Sequence, residues 1–276
     1  MELEGLRVFL QSLIVMPFRS FILPVVLTLT VGYLLLNLLV RWVYPKQLFP
    51  YRGSSYEDSA LFARVEAPDG NEIVFIYREN IDPKAPLLFY FHGNGLDLGH
   101  SYERIEWFRS LGYSVLALDY PGYGLSTGEP TGDSVRAATD SVWNYAIEEL
   151  GARPENTVLW GHSLGGAPAA YLGSKEQFRA LVLQSTFRSV FSLAPTLPLL
   201  LREPFPTEDL IEAVSSPIVL IHGSEDRIIP PSHSKRLKEK AGSNAELILI
   251  EGGRHNDLRR MAQDQMEEVL QRFQDR

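Results

Sequence analysis

The sequence predicts an α/β protein: a mostly parallel sheet flanked by helices, with a small lid insertion and one N-terminal transmembrane helix. Three observations predict it. Short apolar runs alternate with longer helical stretches from residue 60 onward. Most of those runs are apolar throughout, as strands covered on both faces are. Residues 20–40 form 21 consecutive positions without a charge, and about 20 helical residues at 1.5 Å each span the hydrocarbon of a bilayer.

The N-terminal span comes first. Of the 20 residues from Phe21 to Val40, 15 are apolar. Trp42 and Tyr44 follow, with Arg41 and Lys46 beside them, as at a membrane–water interface. Pro24 falls in the first turn, where a missing N–H costs little. A cleaved signal peptide needs small residues at its cleavage site, and residues 41–45 offer none. A core helix apolar on every face is unusual at the edge of a domain. Residues 1–52 therefore read as a membrane anchor and residues 53–276 as the globular domain. Val8–Phe18 is too short to span and is closed by Pro17 and Arg19, which suits an interfacial helix. Two basic residues precede the span and three follow closely. That count leans toward a cytoplasmic C-terminal domain but leaves the membrane face open.

Strands are expected at 72–77, 86–91, 113–119, 157–160, 180–184, 217–221 and 246–250, with helices near 101–111, 133–150, 164–174, 231–241 and 257–273. Residues 187–211 break the alternation with four prolines and several leucines. A connection that long usually has a role, so it reads as a cap or lid. In such sheets ligands bind beyond the carboxyl ends of the strands. Chemistry is therefore sought at residues 92–95, 119–122, 161–163, 223–226 and 252–255.

Charge and composition exclude several classes. The 276 residues carry 26 Lys and Arg against 34 Asp and Glu, net −8. Residues 1–52 hold five basic and two acidic residues, net +3, which leaves −11 on the remainder. A net-acidic body argues against nucleic acid as a partner. No cysteine is present, so there is no disulfide, no thiolate metal site and no Cys nucleophile.

Gly161-His162-Ser163-Leu164-Gly165 matches G-x-S-x-G. By average composition the pattern arises in about one chain in ten of this length. Its context is more telling: an apolar strand precedes it and a small-residue helical run follows. A tight strand-to-helix turn lifts the Ser163 hydroxyl out at the top of the sheet, and a side chain at either glycine would strike neighbouring backbone. A helix N-cap would explain the serine but not both glycines.

A serine hydroxyl needs a base, and the base needs an orienting acid. Along such a chain the order is Ser, acid, His. Only His222, His233 and His255 follow Ser163. His222 ends a strand and points into the sheet edge or its neighbours. His233 opens a charged helix, where a solvated role is the default. His255 follows the last strand through a Gly-Gly turn and can swing back over the carboxyl edge, so it is the expected base. Asp226 is the favoured acid, with Glu225 its rival and a helix-capping role its alternative. The other acid position, after 180–184, holds Ser185 and no carboxylate. The oxyanion donors expected are the backbone N–H groups of Leu164 and Asn94. The glycines around Asn94 do not read as a phosphate cradle, because no Lys-Ser/Thr follows them. No cofactor and no metal are expected.

The set His92-Gly93-Asn94-Gly95, residues 119–126 (DYPGYGLS), Gly161–Gly166, His222–Asp226 and Gly252–Asn256 resembles the α/β-hydrolase superfamily in motif and order, over about residues 60–276. Within it the chain looks like the serine hydrolases that include monoacylglycerol lipase, lysophospholipase and protein depalmitoylase branches, several with an N-terminal anchor. The resemblance implies Ser163, Asp226 and His255 as a catalytic triad. A serine nucleophile sets the chain apart from the dehalogenase and epoxide-hydrolase branches, which use Asp. Pro168 departs from the pattern, since it is expected in the second turn of the helix after Ser163, where it would remove a helical N–H.

The expected activity is hydrolysis of a carboxylic ester or thioester through an acyl-enzyme. The anchor and the leucine-rich lid favour a lipid or acyl-chain substrate at the bilayer. Acyl transfer on the same triad is the near alternative. A non-catalytic binding protein that keeps the fold is the alternative from another class.

Overall fold

A computed structural model describes residues 22–39, 42, 46, 48–50, 53–193 and 204–274. The chain divides into two units. Among the described residues the first is represented by helix α1 (Ile22–Leu39), 18 residues long. Most of its side chains are exposed, Leu23 by 72% and Leu29 by 68%, while Asn37 is buried. At 1.5 Å per residue α1 is about 27 Å long, close to the hydrocarbon thickness. In the same unit the Lys46 ammonium sits 3.7 Å from the centre of the Trp42 ring. Residues 20, 21 and 40 of the expected span lie outside the described residues, as does the expected interfacial helix at 8–18.

The second unit begins at Leu48. It is built on eight strands: β1 (Phe62–Glu66), β2 (Glu72–Arg78), β3 (Leu87–Phe91), β4 (Ser114–Leu118), β5 (Thr157–His162), β6 (Ala180–Gln184), β7 (Ile218–Gly223) and β8 (Ala245–Ile250). Their order in the sheet is β1-β2-β4-β3-β5-β6-β7-β8. The first two pairings in that order, β1 with β2 and β2 with β4, are antiparallel, and every other pairing is parallel. Residues of β3, β4, β5, β6 and β7 are buried throughout, which is why they read as continuous apolar runs. Sequence patterning does not find β1. It is an edge strand whose Arg64 pairs with Asp58 and Glu72 at the surface.

Helices α2 (Leu98–Ser110), α7 (Leu258–Met261) and α8 (Gln263–Gln271) cover one face, through Ile105, Phe108, Leu258, Met266 and Leu270. Helices α3 (Gly132–Leu150), α4 (Gly166–Gly173), α5 (Thr207–Ile211) and α6 (Ser232–Ala241) cover the other, through Val135, Val142, Leu172, Ile211 and Leu237. Helix α2 starts three residues before the expected one, because the Asp97 side chain accepts the His100 N–H at 2.9 Å and caps it. The helix expected at 257–273 is broken at Ala262, whose φ of −133° leaves the helical range. Pro168 turns out to be harmless. A short 3₁₀ turn covers Ser163–Gly165 and the α-helix starts at Gly166, so Pro168 is in its first turn, where no N–H has a helical acceptor. Of the expected cap, residues 187–193 and 204–211 are described, and 194–203 are not. Its base is pinned to α6, since Glu208 takes Arg188 at 2.8 Å and Arg236 at 2.7 Å.

The strand order reverses between β3 and β5, so their following loops diverge and leave a crevice at the carboxyl edge. Those loops carry Asn94 and Ser163.

Candidate active site

The turn after β5 is built by close approach. A Cβ at Gly161 would lie 2.5 Å from Gly165 O, and one at Gly165 would collide with the carbonyl of Phe91. Glycine at both positions lets the turn close and press against the end of β3. Ser163 itself takes φ 53°, a left-handed conformation that a non-glycine residue holds only when the surroundings enforce it.

His255 Nε2 lies 2.9 Å from Ser163 Oγ, and His255 Nδ1 lies 2.7 Å from Asp226 Oδ2. Asp226 is an acceptor, so Nδ1 carries the proton and Nε2 presents its lone pair to the serine hydroxyl. Asp226 Oδ1 accepts the N–H groups of Ile228 and Ile229, both at 2.9 Å. Ser163, Asp226 and His255 are only 7, 4 and 7% exposed, so their interactions are little screened. Burial works to raise the Asp226 pKa. The hydrogen bonds from His222, His255 and Ile229 outweigh it and hold the carboxyl well below the usual carboxylate range. Glu225, the rival acid, is exposed. Ser185, at the other acid position, is buried with φ 49°.

His222 is the residue that sequence reasoning missed. Its Nδ1 lies 2.6 Å from Ser234 Oγ. Its Nε2 lies 2.8 Å from the Ile229 carbonyl and 3.3 Å from Asp226 Oδ2. Two acceptors flank Nε2, so the proton is there and Ser234 donates to Nδ1. His222 thus ties the 226–229 loop together behind the carboxylate. The H-G-x-x-D spacing at 222–226 is the signal that could have found it. His233 also departs from expectation. It is 7% exposed instead of solvated, and its Nδ1 accepts the Arg188 N–H at 3.3 Å. Burial, aided by the Arg188 charge, pushes its pKa down to about 4.

The two expected oxyanion donors are oriented through their neighbours' carbonyls. A trans peptide points its N–H opposite to its C=O. The Ser163 carbonyl, which shares a peptide with the Leu164 N–H, accepts Thr186 Oγ1 at 2.7 Å and also takes the Gly166 N–H. The Gly93 carbonyl, which shares a peptide with the Asn94 N–H, lies 2.9 Å from His92 Nδ1 and accepts the Leu96 N–H at 3.2 Å. Tyr120 and Tyr123 hydroxyls hold the carbonyls of His92 and Asn94, each at 2.8 Å. The Asn94 side chain donates to the Leu48 carbonyl at 3.1 Å. A Cβ built on Gly93 would stand 3.5 Å from Ser163 Cβ, so this loop faces the serine. Thr186→Val removes the side-chain clamp on the Ser163 peptide without changing volume much. We expect kcat to fall about tenfold with KM little changed, a fraction of the about 10²–10³ lost with a whole donor. Steady-state kinetics on the best ester of a substrate panel would check it.

A cleft of about 430 Å³ borders His255 and is lined by Glu225, Arg227, Ile228, Arg254, Asn256 and Asp257. Ile228 is 63% exposed there. Among the described residues no group of three or more His, Asp or Glu could hold a metal ion.

Comparison with known proteins follows the same lines. A family model described as alpha/beta hydrolase fold matches residues 86–209, and one described as serine aminopeptidase, S33, matches residues 206–259. Alpha/beta hydrolase domain-containing protein 17B of Homo sapiens is 34% identical over 193 residues, 68% of this chain and 67% of that protein. Protein 17C of Mus musculus is 34% identical over 182 residues, 64% of this chain. The chain spans 56% of the length of that mouse relative and 54% of the human 17C protein. Among solved structures, the Pyrococcus furiosus esterase Pf2001 aligns with a TM-score of 0.66 at 17% identity, over 83% of this chain and 92% of that one. A Paleococcus ferrophilus monoacylglycerol lipase aligns with a TM-score of 0.57 at 21% identity, over 72% and 96%. These two likenesses are of fold alone.

Proposed function

The chain belongs to the α/β-hydrolase superfamily, and on that premise we propose that it is a serine hydrolase of carboxylic esters or thioesters, acting at a membrane. The observation that carries this reading is the continuous hydrogen-bonded path Ser163–His255–Asp226, at 2.9 and 2.7 Å. In the reaction, Ser163 Oγ attacks the acyl carbon while His255 Nε2 takes its proton. Asp226 holds the imidazole by Nδ1 and stabilises the imidazolium that forms. Leu164 and Asn94 N–H groups receive the oxyanion. His255 then protonates the leaving group, and water, activated by the same ring, releases the acid.

The preference for lipid or acyl-chain substrates draws its support from three features. Helix α1 is long and apolar enough to cross a bilayer, and residues 1–52 would serve as the anchor of the 53–276 catalytic body. The cleft beside His255 exposes Ile228. The leucine- and proline-rich 187–211 segment would serve as a cap over an acyl chain. The human and mouse relatives are named for the fold and not for a substrate, so their names do not narrow the choice.

The test is a panel of ester and thioester substrates in detergent with Ser163→Ala as control. kcat/KM is expected to rise from acetyl to medium-chain esters, by about 1–3 kcal/mol at most per well-buried methylene. A flat or falling series would remove the acyl-chain preference and leave the hydrolase. Transfer of the acyl group to an added alcohol or amine in preference to water would instead identify an acyltransferase.

A further inference from the structure

Ser55 and Tyr56 follow closely on the segment read above as the anchor, and the proposed reaction gives them no task. Yet they reach two aspartates, Asp97 and Asp119, that are both fully buried and both outside the triad. The Ser55 N–H donates to Asp97 Oδ2 at 2.7 Å and its hydroxyl to Oδ1. The Tyr56 hydroxyl donates to Asp119 Oδ2 and accepts the Leu125 N–H at 3.3 Å. Burial and the Asp119 charge push the Tyr56 pKa up, so the hydroxyl stays a donor. Space for both contacts is built in. A Cβ on Gly99 would collide with Ser55 Oγ, and one on Gly124 would stand 2.7 Å from the Tyr56 oxygen.

A buried carboxylate is costly unless donors satisfy it. These two are satisfied, and what they fix is the loop that carries Asn94. That loop runs between β3 and α2. At its far end Asp97 caps α2, and the Leu98 N–H donates to Asp119 Oδ1 at 2.9 Å. At its near end the same Oδ1 lies 3.3 Å from His92 Nε2, and His92 Nδ1 lies 2.9 Å from the carbonyl of the Gly93–Asn94 peptide. Asp119 also opens the turn that holds Tyr120 and Tyr123, whose hydroxyls take the carbonyls of His92 and Asn94. By bridging Asp119 and Leu125, Tyr56 ties the two ends of that turn together.

We propose that Ser55 and Tyr56 are positioning residues for the Asn94 oxyanion donor, with Tyr56 the stronger of the two. They hold its loop at both ends, through Asp97 and Asp119. The proposal rests on the hydrolase reading.

Tyr56→Phe keeps the ring against Phe62, whose centre is 4.2 Å away, and removes only the hydroxyl. In the full chain it is expected to lower kcat about tenfold with KM little changed. A trifluoromethyl ketone matched to the best ester reads the oxyanion site directly. Ser163 Oγ adds to its carbonyl carbon, the hydroxyl proton passes to His255, and the carbonyl oxygen becomes the oxyanion. Its affinity is expected to fall by the same factor as kcat, while that of the unfluorinated ketone, which stays trigonal, holds. Tyr171→Phe removes a tyrosine–aspartate hydrogen bond between α4 and α3 instead. It is expected to leave both affinities alone, whatever its effect on the thermal midpoint. Ser55→Ala is expected to give the Tyr56→Phe pattern in smaller measure, and it decides should Tyr56→Phe not fold. Unchanged kcat in both variants, a rise in KM alone, or equal loss of both ketones overturns the proposal. A wild type that turns over no ester or thioester and binds no fluorinated ketone removes the hydrolase reading itself, and the positioning role with it.

Discussion

Alanine at position 163 is expected to abolish labelling of the chain by a fluorophosphonate probe and to lower kcat about 10⁶-fold on the best ester of the panel. A residual acceleration of about 10³–10⁴ over water is expected to remain, from binding and the oxyanion donors. The size of the loss follows from how the serine is held. Its hydroxyl already rests against His255 Nε2 at 2.9 Å, and its backbone is locked at φ 53° between two glycines that admit no side chain. Alanine at that φ carries the same backbone strain as serine, so the fold is expected to survive with its thermal midpoint within about 2 °C of wild type. The loss would then be chemical and not structural. Equal labelling of wild type and variant would mean that another nucleophile reacts, and the assignment of Ser163 would fall.

Asp226→Asn is expected to cost about 10⁴ in kcat with substrate binding little changed. Asn keeps the shape and can still accept the Ile228 and Ile229 N–H groups. It cannot dictate that His255 Nδ1 carries the proton, and it gives the imidazolium no charge to lean on. A second readout separates this from simple damage. The folded Asp226 carboxyl titrates well below its usual range, whereas an unfolded aspartate titrates near 3.9. A group depressed in the folded state contributes stability that is complete above the unfolded value and is lost as pH falls toward the folded one. The gap in thermal midpoint between wild type and Asp226→Asn is therefore expected to be constant above about pH 5 and to narrow below about pH 4. A gap that does not change with pH would show that the ionised carboxylate contributes nothing specific.

The parts of the fold visible in the sequence are those where physical constraint leaves a local mark. Strands β3 to β7 are buried on both faces and are apolar at nearly every position short of their ends. Gly161 and Gly165 must be glycine because backbone atoms occupy the space of a Cβ. Ser163, Asp226 and His255 can be chosen by chain order because the topology brings strand ends to one edge, and His255 lies within hydrogen-bond distance of both Ser163 and Asp226. Other features depend on contacts between distant segments and leave no local mark. β1 is short, charged and at an edge. His222 reaches Asp226 only because of the side of β7 from which it projects. His233 is buried with the Arg188 N–H on its ring, although its helix reads as solvated. The tyrosines at 120 and 123 look like core residues, and only the fold shows their hydroxyls holding the carbonyls of His92 and Asn94.

Phe49 bears on how this protein is to be dissected. It is fully buried, with ring centres 6.2 Å from Tyr123 and 6.0 Å from Phe205, and its neighbour Leu48 receives the Asn94 side chain. Hydropathy invites a cut at Gly53 to obtain the globular domain alone. That cut deletes a ring worth about 3–5 kcal/mol of packing from beside the tyrosine that braces the Asn94 peptide. Turnover would fall, and the fall would be misread as a requirement for lipid. A comparison of bilayer-bound and soluble forms isolates location only when both retain the chain from Leu48 onward.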